Sequence, residues 1–155
     1  MTVLVLAQSL HVLAAVVWGG GQILTAVAIW PAVLRMPVPE GRALIASLGP
    51  VLGPLMGVSG MVLILAGIAR GVWAGPVQSL SVLVTTSYGQ MFSASIVLTV
   101  GLAVHGARTP GRLERLFEGD HLHPHAGRRL QVDGALVVLT ITAIVGCMVG
   151  MRLGL

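Results

Sequence analysis

The sequence predicts an all-α fold: an integral membrane four-helix bundle whose neighbouring helices run antiparallel, up and down. The chain has 155 residues, 55% of them hydrophobic and only 9% charged, with a mean hydropathy of +0.95. A soluble domain usually carries about 25% charged residues. The apolar residues also fall into four long runs, each sufficient to cross a hydrocarbon core about 30 Å thick.

The four runs predict membrane-crossing helices at about 5–30, 44–69, 86–106 and 130–151. Because these helices use up most of the chain and the connections are short, residues 1–155 are predicted to form a single domain. Between the third and fourth helices, Thr109 is a plausible N-cap and Pro110 fits the first helical position. A short helix is therefore expected at about 110–118, lying on the membrane surface.

The distribution of positive charge predicts the topology. The chain contains nine arginines and no lysine. Seven of the arginines lie in the first and third loops: Arg35, Arg42, Arg108, Arg112, Arg115, Arg128 and Arg129. By the positive-inside rule these loops are cytoplasmic and both termini lie outside, in a multi-pass protein of the inner (plasma) membrane. Topology thus accounts for the net charge of +4, so the expected partner is the lipid bilayer and no nucleic acid.

Motifs for hydrolysis or nucleotide binding are missing from the sequence. It has no acyl-transfer triad, no phosphate-binding glycine loop and no paired carboxylates. The sequence therefore assigns no catalytic residues and does not decide whether the protein is an enzyme. Among the acids, Asp133 is expected to pair with Arg129, one helical turn earlier.

His11 is the histidine placed well inside a predicted crossing, and it shares a helix face with Trp18 and Gln22. An ionisable group at that depth is a functional candidate, because burying it in lipid without a partner is costly. The alternative is a neutral histidine hydrogen-bonded to a neighbouring helix.

Sulfur-containing side chains are expected in the same layer of the bundle as His11. Met61, Met91, Cys147 and Met148 lie at a similar depth on the other three helices. Imidazole with thioether or thiol suits Cu(I), and histidine with methionine is also an axial pair for haem iron. The alternative is that these residues are core filler, which is a common role of methionine.

A second histidine cluster follows Asp120 in the last loop, at His121, His123 and His125. Alternating histidines on an extended segment put their rings on one side, where they could chelate a divalent ion. A solvated loop without metal is the alternative.

Glycines are expected to form the packing surfaces of the bundle, since small residues let helices approach closely in lipid. The candidates are Gly49, Gly53 and Gly57, together with the run at 19–21. That run would also open a cleft for a porphyrin, whose propionates Arg70 or Arg152 would meet.

Two segments resemble the CopD-type copper resistance membrane domain. They are Leu10-His11 followed by Trp18-Gly19-Gly20 and by the stretch 31–35, and the helix entry Thr86-Ser87-Tyr88-Gly89. The first-helix histidine is more distantly similar to that of HemJ-type protoporphyrinogen oxidases, small four-helix proteins thought to bind haem. The resemblance implies a redox metal in the membrane, with His11, Trp18 and Tyr88 at the cofactor.

Three functions arise as hypotheses. In the first, the protein handles copper, for uptake or homeostasis, through His11 and the sulfur ligands in the outer half of the bundle. In the second, it binds haem b for electron transfer or a HemJ-like oxidation, with His11 as axial ligand and with a homodimer as one way to complete the ligation. In the third, it is a non-catalytic membrane scaffold subunit.

Overall fold

The computed structural model describes residues 2–114, 117–118 and 121–155. Its elements, in chain order, are α1 (Thr2–Leu24), a π-helical segment (Thr25–Ile29), α2 (Trp30–Val33), α3 (Val38–Trp73), α4 (Leu80–Thr85), α5 (Ser87–Ala107), α6 (Thr109–Glu114), β1 (Phe117–Glu118), β2 (His121–Leu122) and α7 (Ala126–Leu153).

The predicted all-α four-helix bundle is confirmed. Four helical stretches are long and apolar enough to cross a membrane: Val3–Val33, Val38–Trp73, Ser87–Ala107 and Ala126–Leu153. Large apolar side chains point outward along them, as Val58, Val97 and Leu139 do with 64%, 68% and 69% of their surface exposed. Such a surface suits lipid, because it would be costly in water.

The connection between α5 and α7 differs from the expected surface helix over 110–118. Helix α6 ends at Glu114, and the backbone of Phe117–Glu118 pairs antiparallel with His121–Leu122. The chain therefore turns back through a two-residue pairing before α7 begins.

Helices α1 and α3 form a closely packed seam in which ring side chains lie on glycines. The indole of Trp18 covers Gly60, where a Cβ atom would lie 2.8 Å from Nε1. The imidazole of His11 covers Gly67, where a Cβ would lie 3.0 Å from Cε1. The two ring residues are seven positions apart on α1, and the two glycines are seven positions apart on α3, so the two contacts match in antiparallel register. Trp18 is 3% exposed and belongs to the central core.

The start of α5 explains the Thr-Ser-Tyr-Gly motif in physical terms. The hydroxyl of Thr86 donates to the carbonyl of Val82 in α4 and accepts from the Gly89 amide in the first turn of α5, at 2.7 and 3.0 Å. A Cβ on Gly89 would collide with the Val82 carbonyl. Threonine and glycine are therefore what this tight helix-to-helix step requires.

The first crossing is interrupted by the π-helical segment. The Thr25 hydroxyl donates to the Gly21 carbonyl at 2.7 Å, and Ala26 is buried against α7, where its carbonyl lies 3.2 Å from a Cβ built on Gly134. A π turn takes in one extra residue and so rotates the rest of the helix relative to the part before it. The hydropathy pattern alone predicts ordinary α-helix over this stretch.

The expectation that the two glycine runs form packing surfaces is largely wrong. A Cβ atom on Gly49, Gly53 or Gly57 would meet no heavy atom within 4 Å, and the same holds for Gly19 and Gly20. Of the two runs, Gly21 alone meets a neighbouring side chain, that of Met56. Glycines outside the runs also face particular side chains, among them Gly60 with Trp18, Gly67 with His11, Gly71 with Phe92, Gly106 with Gln22 and Gly150 with Met91.

This distinction predicts opposite responses to the same small change. Gly60→Ala should lower the free energy of unfolding by about 1–3 kcal/mol, because the new methyl group overlaps the Trp18 ring. Gly57→Ala, three residues away in open space, should leave stability unchanged or raise it by about 0.4–1 kcal/mol. Thermal unfolding in detergent measures both. Equal effects of the two variants would contradict the seam.

Candidate functional site

A cavity of about 840 Å³ opens between the long helices at the end of the bundle that carries both chain termini, here called the terminal end. We call it the terminal cavity. His11 lines it from α1, Arg70 from α3, and Tyr88 and Phe92 from α5. Met148, Met151 and Arg152 line it from α7. Side chains from all four long helices, α1, α3, α5 and α7, therefore line this cavity.

The imidazole of His11 is anchored by the backbone of the neighbouring helix. Its Nδ1 lies 3.1 Å from the Leu63 carbonyl oxygen. Since a carbonyl can only accept, the hydrogen bond assigns the proton to Nδ1. In the neutral imidazole the other ring nitrogen, Nε2, then keeps its lone pair, and the side chain that carries it lines the cavity. Histidines that ligate metals commonly have this arrangement, with one nitrogen donating to a backbone carbonyl.

The wall contributed by α7 carries thioethers and a cation. Met148, Met151 and Arg152 lie at helical spacing, so they share a face of α7. Arg70, half-buried on α3, lines the same cavity. The structure thus brings two arginines and two methionine sulfurs into the lining that includes His11. Met151 was missed by the sequence analysis, although its spacing of three from Met148 is a signal for a shared face.

The other predicted sulfur ligands occupy different places. Met61 is 65% exposed and lines a separate cavity at the opposite end. Met91 packs on Gly150, where a Cβ would lie 2.7 Å from its sulfur. Cys147 is a half-buried free thiol. Within the described part of the chain, none of these three is among the residues lining the terminal cavity.

The two aromatic residues implied by the family resemblance are placed differently from each other. Tyr88 lines the terminal cavity and stacks with Phe92 at a ring-centroid distance of 6.4 Å. Trp18 lies in the α1–α3 seam and lines the opposite cavity. Only Tyr88 therefore shares a cavity with His11.

The loop histidines are described in part. The rings of His123 and His125 have centroids 5.7 Å apart, and the His125 amide donates to Nδ1 of His123 at 3.2 Å. Asp120 and the side chain of His121 lie outside the described residues. No group of three or more His, Cys, Asp or Glu side chains that could hold a metal occurs among the residues searched, which are the described ones.

A second cavity, of about 1020 Å³, lies toward the end of the bundle where most arginines are found, here called the arginine-rich end. We call it the arginine-end cavity. Its polar lining includes Gln22, Arg42, His105 and Asp133, and its apolar lining includes Trp18. The sequence predicts no site here, because the polar residues of the cavity come from different helices and form no motif.

Asp133 is the centre of a charged cluster that joins α5, α6 and α7. Its Oδ1 lies 3.0 Å from Nε2 of His105 and 3.4 Å from Nη1 of Arg112. Arg112 also donates to the His105 carbonyl at 2.7 Å. The expected partner Arg129 is replaced by Arg112, because α6 folds back over the end of α5. The His105–Asp133 contact has ion-pair distance but not the alignment of a hydrogen bond.

Comparison with known proteins finds no matching family model, no matching curated protein and no matching solved structure.

The cluster geometry predicts measurable coupling between His105 and Asp133. In a double-mutant cycle, His105→Ala and Asp133→Asn should show a coupling free energy of about 0.5–1 kcal/mol, because the pair is partly exposed. Unfolding in detergent provides the free energies. As a control, Asp133→Asn combined with Ser47→Ala should be additive, since the Ser47 hydroxyl donates to Leu44 of its own helix. Additive effects of the first pair would contradict the contact.

Proposed function

We propose that this chain is a membrane haem b protein that binds its porphyrin in the terminal cavity, with His11 as an axial ligand. The observation that carries the proposal is the hydrogen bond from Nδ1 of His11 to the Leu63 carbonyl. It holds the ring in one tautomer and leaves Nε2, the nitrogen that would bind iron, in a cavity-lining side chain. The CopD and HemJ resemblances point to the same histidine.

The size of the cavity also supports a large ligand. Its volume of about 840 Å³ falls in the range typical of organic ligands and cofactors, and far exceeds what one metal ion needs. The lining combines aromatic and thioether groups with two arginines, Arg70 and Arg152. A porphyrin has the matching character, with an apolar ring and carboxylate propionates that arginines recognise.

Two thioethers on α7 would be available as a further ligand to the iron. Met148 and Met151 line the cavity together with His11, so a His/Met pair is the ligation that this chain would supply. Methionine ligation raises the reduction potential of haem relative to other ligands. Bound haem would supply one-electron chemistry, and the chain's own residues would bind, orient and shield it.

Copper handling is the second candidate, favoured by the CopD resemblance and by one observation. His11, Met148 and Met151 all line the terminal cavity, and imidazole with thioether sulfur is a donor set that suits Cu(I). We place the terminal end outside the cell and the arginine-rich end in the cytoplasm, following the positive-inside rule, so either cofactor would be bound near the outer face of the plasma membrane.

An absorption spectrum of the purified protein tests the proposal directly. Wild-type protein purified in detergent after expression with haem supply should show a Soret band and about one iron per chain or per dimer. His11→Ala should lose the band, and His123→Ala, which alters a loop histidine, should keep it. Stoichiometric copper without a Soret band would replace the haem assignment by copper. Purified wild-type protein with neither metal would favour the scaffold.

The two arginines provide an independent test of haem as the ligand. Arg70→Gln and Arg152→Gln should each weaken haem affinity by about two- to fivefold, a modest effect because these side chains are partly exposed. Arg108→Gln, at the opposite end of the bundle, is the control and should have no effect. Haem titration of the apoprotein measures the dissociation constants. Equal affinities in all three variants would remove the arginines from the site.

A further inference from the structure

One turn of α3 provides both the room and the hydrogen-bond acceptor that hold the His11 ring. The Leu63 carbonyl oxygen lies 3.1 Å from Nδ1 of His11. Four residues further along the same helix, Gly67 lies under the ring, and a Cβ built there would be 3.0 Å from Cε1 and 3.3 Å from Nδ1. These two atoms are the nitrogen of the hydrogen bond and the ring carbon next to it. A side chain at position 67 would therefore press on the hydrogen-bonded edge of the imidazole.

The direction of side chains on a helix explains why this position requires glycine. The Cα–Cβ bond of a helical residue is tilted toward the N-terminus of its helix, so a Cβ on Gly67 would point back along α3 toward Leu63. In an α-helix the Gly67 amide is also the partner of the Leu63 carbonyl, whose second lone pair is left for Nδ1 of His11. A larger residue at 67 would occupy the space through which the imidazole reaches that carbonyl.

The helix that carries His11 is held at a second point, so α1 has little freedom to move away from a side chain at position 67. Trp18 lies on Gly60 and is only 3% exposed. The His11 side chain can rotate about its own bonds, whereas the backbone of α1 is fixed against α3 by this second contact. A methyl group on residue 67 is therefore expected to turn the imidazole away from Leu63 and to leave the helix in place.

We infer that Gly67 is the positioning residue of the cofactor site. The missing side chain lets the His11 ring lie against α3 and donate from Nδ1 to the Leu63 carbonyl. This contact fixes the tautomer and the rotation of the ring, and it keeps the lone pair of Nε2 for a metal. The effect on iron rests on the haem proposed above, whereas the tautomer of His11 depends on the protein alone.

The tautomer of His11 can be measured without any cofactor. Nitrogen NMR of the full chain in detergent, with isotope-labelled histidine and His11→Gln to assign the signals, should show the wild-type proton on Nδ1. Gly67→Ala should lose this preference, and the signals should move toward a mixture of the two tautomers. The matched control is Gly60→Ala, which places the same methyl group under the Trp18 ring of the same seam and should leave the His11 signals unchanged. A wild-type proton on Nε2, or an unchanged tautomer in Gly67→Ala, overturns the inference.

Haem affinity provides a readout at the cofactor itself. Gly67→Ala should weaken haem binding about 10–100-fold, the usual effect of losing a partner that orients a metal-binding histidine, and should shift the Soret band. Gly60→Ala should keep both at wild-type values. Equal losses in the two variants would reduce Gly67 to a packing role and overturn the positioning role. A wild-type chain without a Soret band would remove the haem, and the tautomer measurement would then decide the role of Gly67.

A second variant tests the same contact if Gly67→Ala does not fold. His11→Gly removes the ring, and added imidazole can take its place, with one nitrogen donating to the Leu63 carbonyl and the other binding iron. N-methylimidazole also ligates haem but has no N–H. After correction for affinity to free haem, it should restore the Soret band only at about two- to tenfold higher concentration, as expected for the loss of one hydrogen bond. Equal corrected concentrations of the two ligands would overturn the role of the Leu63 contact.

Discussion

The contact of two rings with two glycines, between α1 and α3, is the constraint on which the bundle depends. Helices in lipid gain no hydrophobic free energy by associating, so close packing and hydrogen bonds must hold them together. Trp18 on Gly60 and His11 on Gly67 supply the packing at two points separated by roughly 10 Å of helix rise. Two such points fix both the register and the rotation of α1 against α3. The His11–Leu63 hydrogen bond adds the polar part of the same seam.

The arginine-end cavity opens where the seam between α1 and α3 ends. Beyond Gly60, toward the arginine-rich end, the glycines of α3 have no ring to receive, and the arginine-end cavity opens there. Pro50 and Pro54 lie in the same stretch of α3 and deprive the carbonyls of Ala46 and Pro50 of their usual helical partners. On α1 the π-helical segment begins at the corresponding depth. Irregular backbone at membrane depth is tolerated where it borders a cavity, and both irregular segments do so here.

Hydropathy was enough to predict the number and approximate bounds of the long apolar helices, because these depend on composition averaged over about 20 residues. The site could not be predicted in the same way, since depth along a helix does not specify the direction in which a side chain points. Met61 and Met148 were expected in one layer, yet Met61 is mainly exposed and Met148 lines the cavity with His11.

The glycines also show that contacts between helices could not be predicted from residue spacing within one helix. Gly49, Gly53 and Gly57 have the four-residue spacing usually associated with helix packing, but they contact no neighbouring helix. The packed glycines, Gly60 and Gly67, are instead seven residues apart. That separation equals the one between His11 and Trp18 on α1. That match was readable in the sequence, but only by comparing two helices whose pairing was not yet known. The Asp133–Arg112 contact was hidden for a related reason, since it depends on α6 folding back.

The positions of Arg70 and Arg152 bear on the choice between a metal ion and a porphyrin. Of the eight arginines in the described part of the chain, six lie at the opposite end of the bundle, so Arg70 and Arg152 are exceptions to the distribution of positive charge. Both line the terminal cavity, beside an anchored imidazole. Cations at the rim oppose entry of a bare metal cation and favour a ligand that is anionic at its edge. The proposed metalloporphyrin would carry both features at once, a metal for Nε2 of His11 and carboxylates for the arginines, whereas a single copper ion would leave the two arginines without a role.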